Sequence, residues 1–195
     1  MQIDSALSIR PALKSDVRLL LRFIRAIAKY ERLSSEVEAT EARLRDSLFG
    51  KRPAAAALLA FWKGKPAAFA VFYQNFSTFQ GRAGLYLEDL FVKPEFRRHG
   101  IGRELLLHVA RIARDRGCGR FEWMALDWNK PAIEFYEKLG ANRLHEWTTF
   151  RMSRTELTRL ANSQRRSKGK MDSFAAGKSS RSVPKSRSMP KKRIP

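Results

Sequence analysis

The sequence contains a single cysteine, Cys118, and no long uncharged apolar run. One cysteine excludes an intramolecular disulfide and a zinc cluster held by thiolates, and it favours a reducing compartment. No segment approaches the roughly 18 to 20 apolar residues of a membrane-spanning helix. The amino terminus lacks the basic stretch followed by an apolar run that marks a secretory signal. These absences predict a cytoplasmic protein that does not associate with membranes.

Histidine is scarce as well, with three in the whole chain. His99, His108 and His145 lack metal-ligand spacing with one another or with the acidic residues. We therefore expect no metal site.

Acidic residues are few, since 19 Asp or Glu stand against 39 Lys or Arg, a formal net charge of +20. Residues 165–195 hold eleven of these cations, one acid and few apolar side chains. Such a segment cannot bury enough surface to offset the entropy of ordering. We expect a domain over residues 7–161 and a disordered basic tail over residues 162–195. The tail is either a solubilising extension or a contact with nucleic acid, the ribosome or an acidic partner.

The rest of the chain is long enough for one core, because 44% of all residues are hydrophobic. Apolar periodicity and turn residues predict a mixed α/β fold. The predicted strands are residues 7–10, 54–62, 66–76, 85–92 and 120–126, with one or two more within 144–154. The predicted helices are residues 15–30, 35–48, 101–112 and 129–139, with a terminal turn at 156–161. Residues 63–65 carry a hairpin signal.

Residues 85–111 read as a strand, a turn with two glycines and an amphipathic helix. Strict alternation in the strand puts Glu88 and Asp89 on opposite faces. The face of Asp89 would also hold Leu85, Leu87 and Phe91, and the face of Glu88 would hold Tyr86, Leu90 and Val92. The turn Arg97-x-x-Gly100-x-Gly102 lies where a helix exposes unpaired N–H groups and the positive end of its dipole. It is a place to hold a phosphate, although the same spacing also fits an ordinary strand-to-helix turn.

Two further residues have both a structural and a chemical interpretation. Tyr136 shares a predicted helix face with Ile133 and Leu139, so it is either a core tyrosine or a functional phenol. Glu88 is either a solvent-facing acid or a working one, because a Glu-Asp pair in an apolar strand is costly unless it is used.

Two motifs in the right order resemble the GNAT superfamily of acetyl-CoA-dependent N-acetyltransferases. They are Arg97-Arg-His-Gly-Ile-Gly, after a strand ending Leu-Phe-Val, and Trp128-Asn-Lys-Pro-Ala-Ile-Glu-Phe-Tyr-Glu-Lys-Leu-Gly-Ala. The phrases Ala28-Lys-Tyr-Glu, Tyr86-Leu-Glu-Asp-Leu-Phe-Val and Trp147-Thr-Thr-Phe-Arg resemble the diamine (spermidine/spermine) and thialysine acetyltransferases. The resemblance covers roughly residues 8–161. It implies a mixed, mostly antiparallel central sheet flanked by helices, and a homodimer.

The resemblance implies a site for acetyl-CoA. Its residues would be Leu90, Phe91 and Val92 on the pantetheine arm, Arg97, Arg98, His99, Gly100, Ile101, Gly102 and Arg103 around the pyrophosphate, and Asn129 and Ala132 at the second motif. Glycine lets the main chain approach phosphate oxygens, and arginines add charge-assisted bonds.

The resemblance also implies the catalytic and acceptor residues. Tyr136 would protonate the departing thiolate, for which a phenol with a pKa of about 10 is suitable. Glu88 would accept the proton that an alkyl amine with a pKa of about 10.4 must lose before it attacks. Tyr30, Glu31, Glu88 and Trp147 would line the amine pocket.

The sequence departs from the diamine enzymes at Leu144-His-Glu-Trp, which is about three residues shorter and lacks acids that help to hold a polycation. The basic folded part also opposes long-range attraction of polyamines. We expect direct acetyl transfer, in a ternary complex, to a primary amine of a small molecule: a diamine, a polyamine or a lysine-like amino acid. These departures favour a smaller amine, such as a lysine-like amino acid. The alternatives are acetylation of a protein or peptide amine, and a non-catalytic nucleic-acid or ribosome-binding protein that uses the basic tail.

Overall fold

The structure is a computed structural model that describes residues 6–163. The predicted basic tail lies outside the described residues, apart from its first two positions. The chain divides into two compact units, residues 1–139 and residues 140–195. The first unit contains the sheet and four helices, and the second contains one described helix.

The strands are β1 (Leu7–Pro11), β2 (Ala56–Trp62), β3 (Lys65–Ser77), β4 (Arg82–Val92) and β5 (Phe121–Trp123). The helices are α1 (Val17–Tyr30), α2 (Glu41–Phe49), α3 (Ile101–Asp115), α4 (Lys130–Lys138) and α5 (Arg154–Ser163). Short 3-10 turns precede α1 and lie at Ser34–Glu36 and Pro94–Phe96.

The five strands form one sheet in chain order. Neighbours from β1 to β4 pair antiparallel, and β5 pairs parallel to β4 after the crossover through α3. The expected mixed, mostly antiparallel sheet flanked by helices is thus confirmed. The predicted hairpin is confirmed too: Lys63 and Gly64 both have positive φ, 48° and 75°, as the tight two-residue turn that matches strand twist requires.

The core covers both faces of the sheet. On one face, Ile101, Leu105 and Val109 of α3 pack against Leu85 and Leu87 of β4 with their neighbours. On the other face, Phe23 of α1 stacks on Phe69 of β3 with ring centroids 5.2 Å apart, beside Phe91 of β4. The central strand therefore contributes core side chains to both faces.

A β-bulge interrupts β4 and overturns one expectation. Val71 pairs with Asp89 and Phe72 pairs with Leu87, so Glu88 is an extra residue with no partner on β3. Leu85 and Leu87 pack on the α3 face, but Phe91 packs on the α1 face. The prediction that Leu85, Leu87, Asp89 and Phe91 share one face was wrong, because the inserted residue shifts the two-residue period.

The same bulge changes the relation of the two acids. Asp89 lies opposite Val71, and Val71 packs on the α1 face. The charge of Glu88 acts on Tyr73, which lies two residues after Val71 on β3. Alternation on each side of the bulge therefore turns both Glu88 and Asp89 toward the α1 face. Glu88 and Asp89 do not point in opposite directions.

Three element boundaries also differ from expectation. The helix predicted over 35–48 begins only at Glu41, because Thr40 is its N-cap and accepts a bond from Arg43 N at 3.2 Å. The strand predicted over 120–126 is reduced to Phe121–Trp123, the three residues that pair with β4. Residues 141–153 contain no strand, although their alternation suggested one or two, since a strand also needs a neighbour for its ladder.

Candidate active site

A gap opens where β4 continues beyond β5. The two strands pair only through residues 85–87 and 121–123. Lys93 N donates to Ala67 O of β3 at 3.0 Å, so by antiparallel alternation the N–H and C=O groups of Leu90 and Val92 point away from β3 and those of Phe91 point toward it. An extended group can therefore add to this edge through the backbone of Leu90 and Val92.

The turn between β4 and α3 exposes backbone N–H groups to the same gap. Arg98 and Gly100 have φ of 65° and 73°, and Gly100 is the N-cap of α3. A left-handed Gly100 costs little, because it has no Cβ. Ile101, Gly102 and Arg103 follow as the first turn, whose N–H groups have no partner within the helix. The side chain of Ile101 is buried in the core, so Ile101 offers a ligand at this turn only its backbone N–H.

Gly102 fits α3 closely against β4. A Cβ added at Gly102 would lie 3.4 Å from Val92 Cγ2 and 3.9 Å from Leu90 Cδ2. A methyl group at this position would make ordinary van der Waals contacts with β4. The start of α3 is therefore held beside the open edge of β4, as one continuous surface.

The side chains of the turn have different partners. Arg97 Nε donates to Val92 O at 3.2 Å, and its guanidinium lies 4.6 Å from the ring centroid of Tyr30. The His99 ring lies 4.9 Å from Trp62, with Nδ1 2.8 Å from Arg97 O. Arg98 and Arg103 are exposed, and Arg103 reaches Glu104 at 3.3 Å. Arg97 and His99 thus shape the turn itself, while Arg98 and Arg103 remain at its surface.

Tyr30 joins the end of α1 to the start of α4. Its hydroxyl donates to Asn129 Oδ1 at 3.2 Å, across 99 residues of sequence. Its ring also lies 5.9 Å from Trp128 and 6.3 Å from Phe91. Asn129 occupies the predicted N-cap position of α4, but its side chain makes no capping bond and is used in the bond to Tyr30 instead.

Three carboxyl groups come together near the end of α1. Glu31 directly follows the helix, and burial raises its pKa. Burial, and then the charges of Glu88 and Glu31, raises the pKa of Asp89 to about 7. Glu88 itself is exposed on the bulge. At neutral pH Asp89 therefore exchanges a proton readily, whereas an ordinary aspartate stays ionised.

Tyr136 lies on α4 and is half-buried on the α3 face of the sheet. It packs on the α3-side core and has ring contacts of 5.0 Å with Trp123 of β5 and 5.2 Å with Phe135. Burial, and then the charge of Glu31, raises its pKa to about 12. Tyr136 is thus both a packed tyrosine and a phenol that keeps its proton at neutral pH within the field of Glu31.

Residues 21–141 match the Acetyltransferase (GNAT) family. The chain belongs to the GNAT family of acetyltransferases. A thialysine N-epsilon-acetyltransferase of Sus scrofa is 39% identical over 164 residues, which cover 78% of this chain and 96% of that protein. An L-ornithine N5-acetyltransferase of Arabidopsis thaliana is 30% identical over 190 residues, covering 74% of this chain and 83% of that protein.

The GNAT assignment agrees with similarity in three dimensions. A solved integron cassette protein from the mobile metagenome of V. cholerae superimposes with a TM-score of 0.68 and 27% identity, covering 81% of this chain and 99% of that one. Family membership makes this chain an acetyltransferase, and GNAT acetyltransferases use acetyl-CoA as co-substrate. The expectations for family, enzyme class and fold are confirmed.

The described residues fit acetyl-CoA as a GNAT enzyme would hold it. The open edge of β4, the N–H groups at the start of α3 and the close packing at Gly102 form a continuous surface for an extended pantetheine arm and a pyrophosphate. Within residues 6–163, no group of His, Cys, Asp or Glu could hold a metal ion. No helix in this part of the chain is long and apolar enough to span a membrane.

The structure brings together most of the residues that the sequence suggested, and it adds one. Tyr30, Glu31, Glu88, Asn129 and Tyr136 all belong to the first unit around the gap, with Ala132 in the first turn of α4. Trp147 belongs to the second unit and is 69% exposed, so its contact with substrate stays a prediction.

Asp89 is the residue for which sequence reasoning found no role. A bulge in β4 was the missing information, and an acidic pair in the middle of an apolar strand was the available signal.

Proposed function

We propose that this GNAT acetyltransferase transfers the acetyl group of acetyl-CoA to a primary amine of a small molecule, in a ternary complex. The observation that carries the proposal is the meeting of a proton-holding phenol, Tyr136, with the carboxyl groups of Glu31 and Asp89 beside the open edge of β4. Relatives named as thialysine and ornithine acetyltransferases support a lysine-like amino acid as acceptor.

The cofactor side uses the backbone more than side chains. Leu90 and Val92 would bind the pantetheine arm through outward N–H and C=O groups, with Phe91 beneath it. The N–H groups from Gly100 to Arg103 would hold the pyrophosphate, with Arg98 and Arg103 adding charge. Asn129 and Ala132 at the start of α4 would complete the site. When bound, acetyl-CoA supplies the thioester carbonyl that an amine can attack.

The acceptor side is acidic, although the molecule as a whole is basic. The charges of Glu31 and Glu88 act on Asp89, and this local negative charge would stabilise an ammonium group, with the rings of Tyr30 and Trp128 as proposed walls. Trp147 is a further proposed contact. We propose an acceptor that presents one terminal amine on a short chain, as a lysine-like amino acid does, in keeping with the relatives named above.

Proton acceptance falls to the two acids of the bulge. The amine must lose a proton before it forms the C–N bond. Asp89, with a pKa of about 7, takes that proton efficiently at neutral pH. Exposed Glu88 relays it to water. The bulge thus places Asp89, a half-buried proton acceptor, next to Glu88, an exposed carboxylate in contact with water.

Proton donation falls to Tyr136. As the C–S bond breaks, the departing sulfur gains negative charge and needs a proton. Tyr136 holds its proton at neutral pH and lies on the α4 helix that begins at Asn129. The hydrogen bond from Tyr30 to Asn129 links the start of α4 to the end of α1. This link would hold the proton donor and the proton acceptor beside one amine site.

The remaining expectations rest on the resemblance and on composition. We propose a homodimer by analogy with the diamine acetyltransferases, and a cytoplasmic location from the single cysteine. A contact of the basic tail with nucleic acid stays a separate prediction.

The deciding experiment mixes the full chain with acetyl-CoA and a panel of amines, and follows release of the CoA thiol. The panel holds thialysine, ornithine, lysine, a diamine, spermidine and a lysine-containing peptide. We expect the fastest turnover with the amino acids that carry a terminal amine on a short side chain. Fastest turnover of the peptide would establish the alternative of a protein acetyltransferase. Binding of acetyl-CoA without turnover of any amine would refute small-molecule acetylation.

A further inference from the structure

A row of cations lies along the exposed face of α1. Arg18, Arg22, Arg25 and Lys29 are all exposed and follow one another at intervals of four, three and four residues. This spacing puts them on one helix face. At a rise of 1.5 Å per residue, the row is roughly 16 Å long.

Within residues 6–163, no ion pair neutralises this row. The sequence of α1 contains no acid. Among the ion pairs of residues 6–163, none involves any of the four, although α2 and the turn at Ser34–Glu36 pack against α1 and carry Glu36, Glu41 and Asp46. By contrast, on α3 Arg103 pairs with Glu104 and Arg114 pairs with Asp115. The surface of α1 is therefore distinct from that of the other long helix.

The row works against the stability of its own helix. Like charges three and four residues apart repel, and Arg18 lies in the first turn, where the helix dipole favours an acid. A stable helix surface would mix the two signs of charge. An interaction that needs all four cations gives a physical reason for their presence.

The apolar face of α1 is buried in the core and cannot insert into a membrane. A helix that lies on a bilayer inserts its apolar face, but Leu20, Phe23 and Ile27 of α1 are buried against the sheet. Three of the four cations are arginine, which binds phosphate oxygens through two parallel bonds. A regular row of guanidinium groups fits a regular row of phosphates better than the irregular charges of an acidic protein.

We infer that the exposed face of α1, defined by Arg18, Arg22, Arg25 and Lys29, binds the phosphate backbone of a nucleic acid. No exposed aromatic side chain stands between these residues, so the contact reads phosphates and not bases. The four residues are not among those proposed for acetyl transfer.

The test compares two double variants of the full chain that lose the same charge. Arg22→Ala with Arg25→Ala removes the centre of the row, and Arg111→Ala with Arg114→Ala removes two exposed arginines at the same spacing on α3. Binding of a short labelled single-stranded RNA is measured by fluorescence anisotropy between about 50 and 200 mM salt. The tail is present in every protein and contributes equally to each.

Wild type should bind with strong salt dependence. The α1 variant should lower the slope of log K against log salt by about 1.4, since each phosphate contact contributes about 0.7 for single strands. The α3 variant should keep the wild-type slope. Thermal unfolding without RNA should show the α1 variant at least as stable as wild type, because repulsion is relieved.

Three results would overturn the inference. They are equal slopes for the two double variants, no binding by wild type, and displacement of the RNA by a polyglutamate peptide at equal charge concentration. The last result would identify an acidic protein as the partner.

Discussion

The environment of Tyr136 changes the chemistry of a single phenol. Its pKa of about 12 results first from burial and then from the charge of Glu31. The group is fully protonated at neutral pH, as a proton donor must be. Its ring also packs against Trp123 and Phe135, so one residue has both a structural and a proposed chemical role.

Replacement of the phenol by phenyl separates these two roles. Tyr136→Phe keeps the ring contacts and removes the proton, so we expect kcat to fall on the order of 100-fold or more, the usual size of general acid catalysis. The affinity for acetyl-CoA and the melting temperature should stay close to those of wild type. Steady-state kinetics and a binding titration measure the effects, and an unchanged kcat would remove Tyr136 from the mechanism.

Asp89 shows how position on a strand determines the strength of an acid. Its pKa rises from 3.8 to about 7 because it is half-buried near Glu88 and Glu31. A raised carboxyl pKa favours folding below the unfolded-state pKa of about 4, and this contribution is lost as the pH rises through about 7. Above that pH the folded chain must hold a partly buried charge.

This shift predicts paired effects on stability and rate. Asp89→Asn should be more stable than wild type at pH 8 by about 2 kcal/mol, after allowance for partial exposure, and the difference should shrink at pH 5. If Asp89 accepts the amine proton, kcat/KM of wild type should rise with pH through about 7, and Asp89→Asn should lose that limb.

Glu88→Gln is the matched control for this prediction. It removes a charge that helps to raise the pKa of Asp89, so the limb should move to lower pH and persist. Urea unfolding and pH–rate profiles measure both variants. A limb that disappears in Glu88→Gln and stays in Asp89→Asn would assign proton acceptance to Glu88 alone.

At the scale of elements, β4 and the start of α3 form the framework of the site. The bulge at Glu88 lets one strand pack Leu87 on one face of the sheet and Phe91 on the other. Beyond the bulge the strand leaves β5 and presents a free edge. Gly102 brings the N–H groups of α3 beside that edge.

Gly102 therefore tests how strongly cofactor binding depends on the packing of α3 against β4. Gly102→Val adds γ-methyl groups to a Cβ that already contacts Val92 and Leu90, so we expect α3 to move away from β4. We expect acetyl-CoA to bind about tenfold more weakly, equivalent to about 1.4 kcal/mol. Isothermal titration measures the affinity.

Gly102→Ala is the control for this substitution. Its Cβ makes ordinary contacts at 3.4 Å and 3.9 Å, and alanine favours a helix, so the melting temperature should not fall. If Gly102→Val binds acetyl-CoA with wild-type affinity, the binding of acetyl-CoA does not depend on the packing of α3 against β4.

At the scale of the whole molecule, charge and function are unevenly distributed. The chain is strongly basic, yet three carboxyl groups gather at the proposed acceptor site and four unpaired cations gather on α1. Net charge therefore says little about the acceptor, whose site is locally acidic. Net charge is more informative about partners that bind the exposed face of α1.

Local sequence determined most of the first unit. Periodicity and turn residues predicted four of its helices and its five strands, with errors at boundaries and in the length of α2 and β5. The two motifs identified the family, because the spacing of Gly100, Gly102 and Tyr136 reflects backbone geometry close to each residue. The strands expected within 144–154 were not found, since strand formation there depends on a partner as well as on alternation.

Only the tertiary structure decided which groups share the site. The face of Asp89 depends on a register shift against β3, which alternation in one strand cannot reveal. The bond from Tyr30 to Asn129 joins residues 99 positions apart, and the pKa of Tyr136 depends on Glu31 at the end of α1. Sequence by itself therefore determined the family and indicated the proposed cofactor side, because both rest on local backbone geometry. Folding decided the environment of the proposed acid–base groups, because burial and charge act between residues that are distant in the chain.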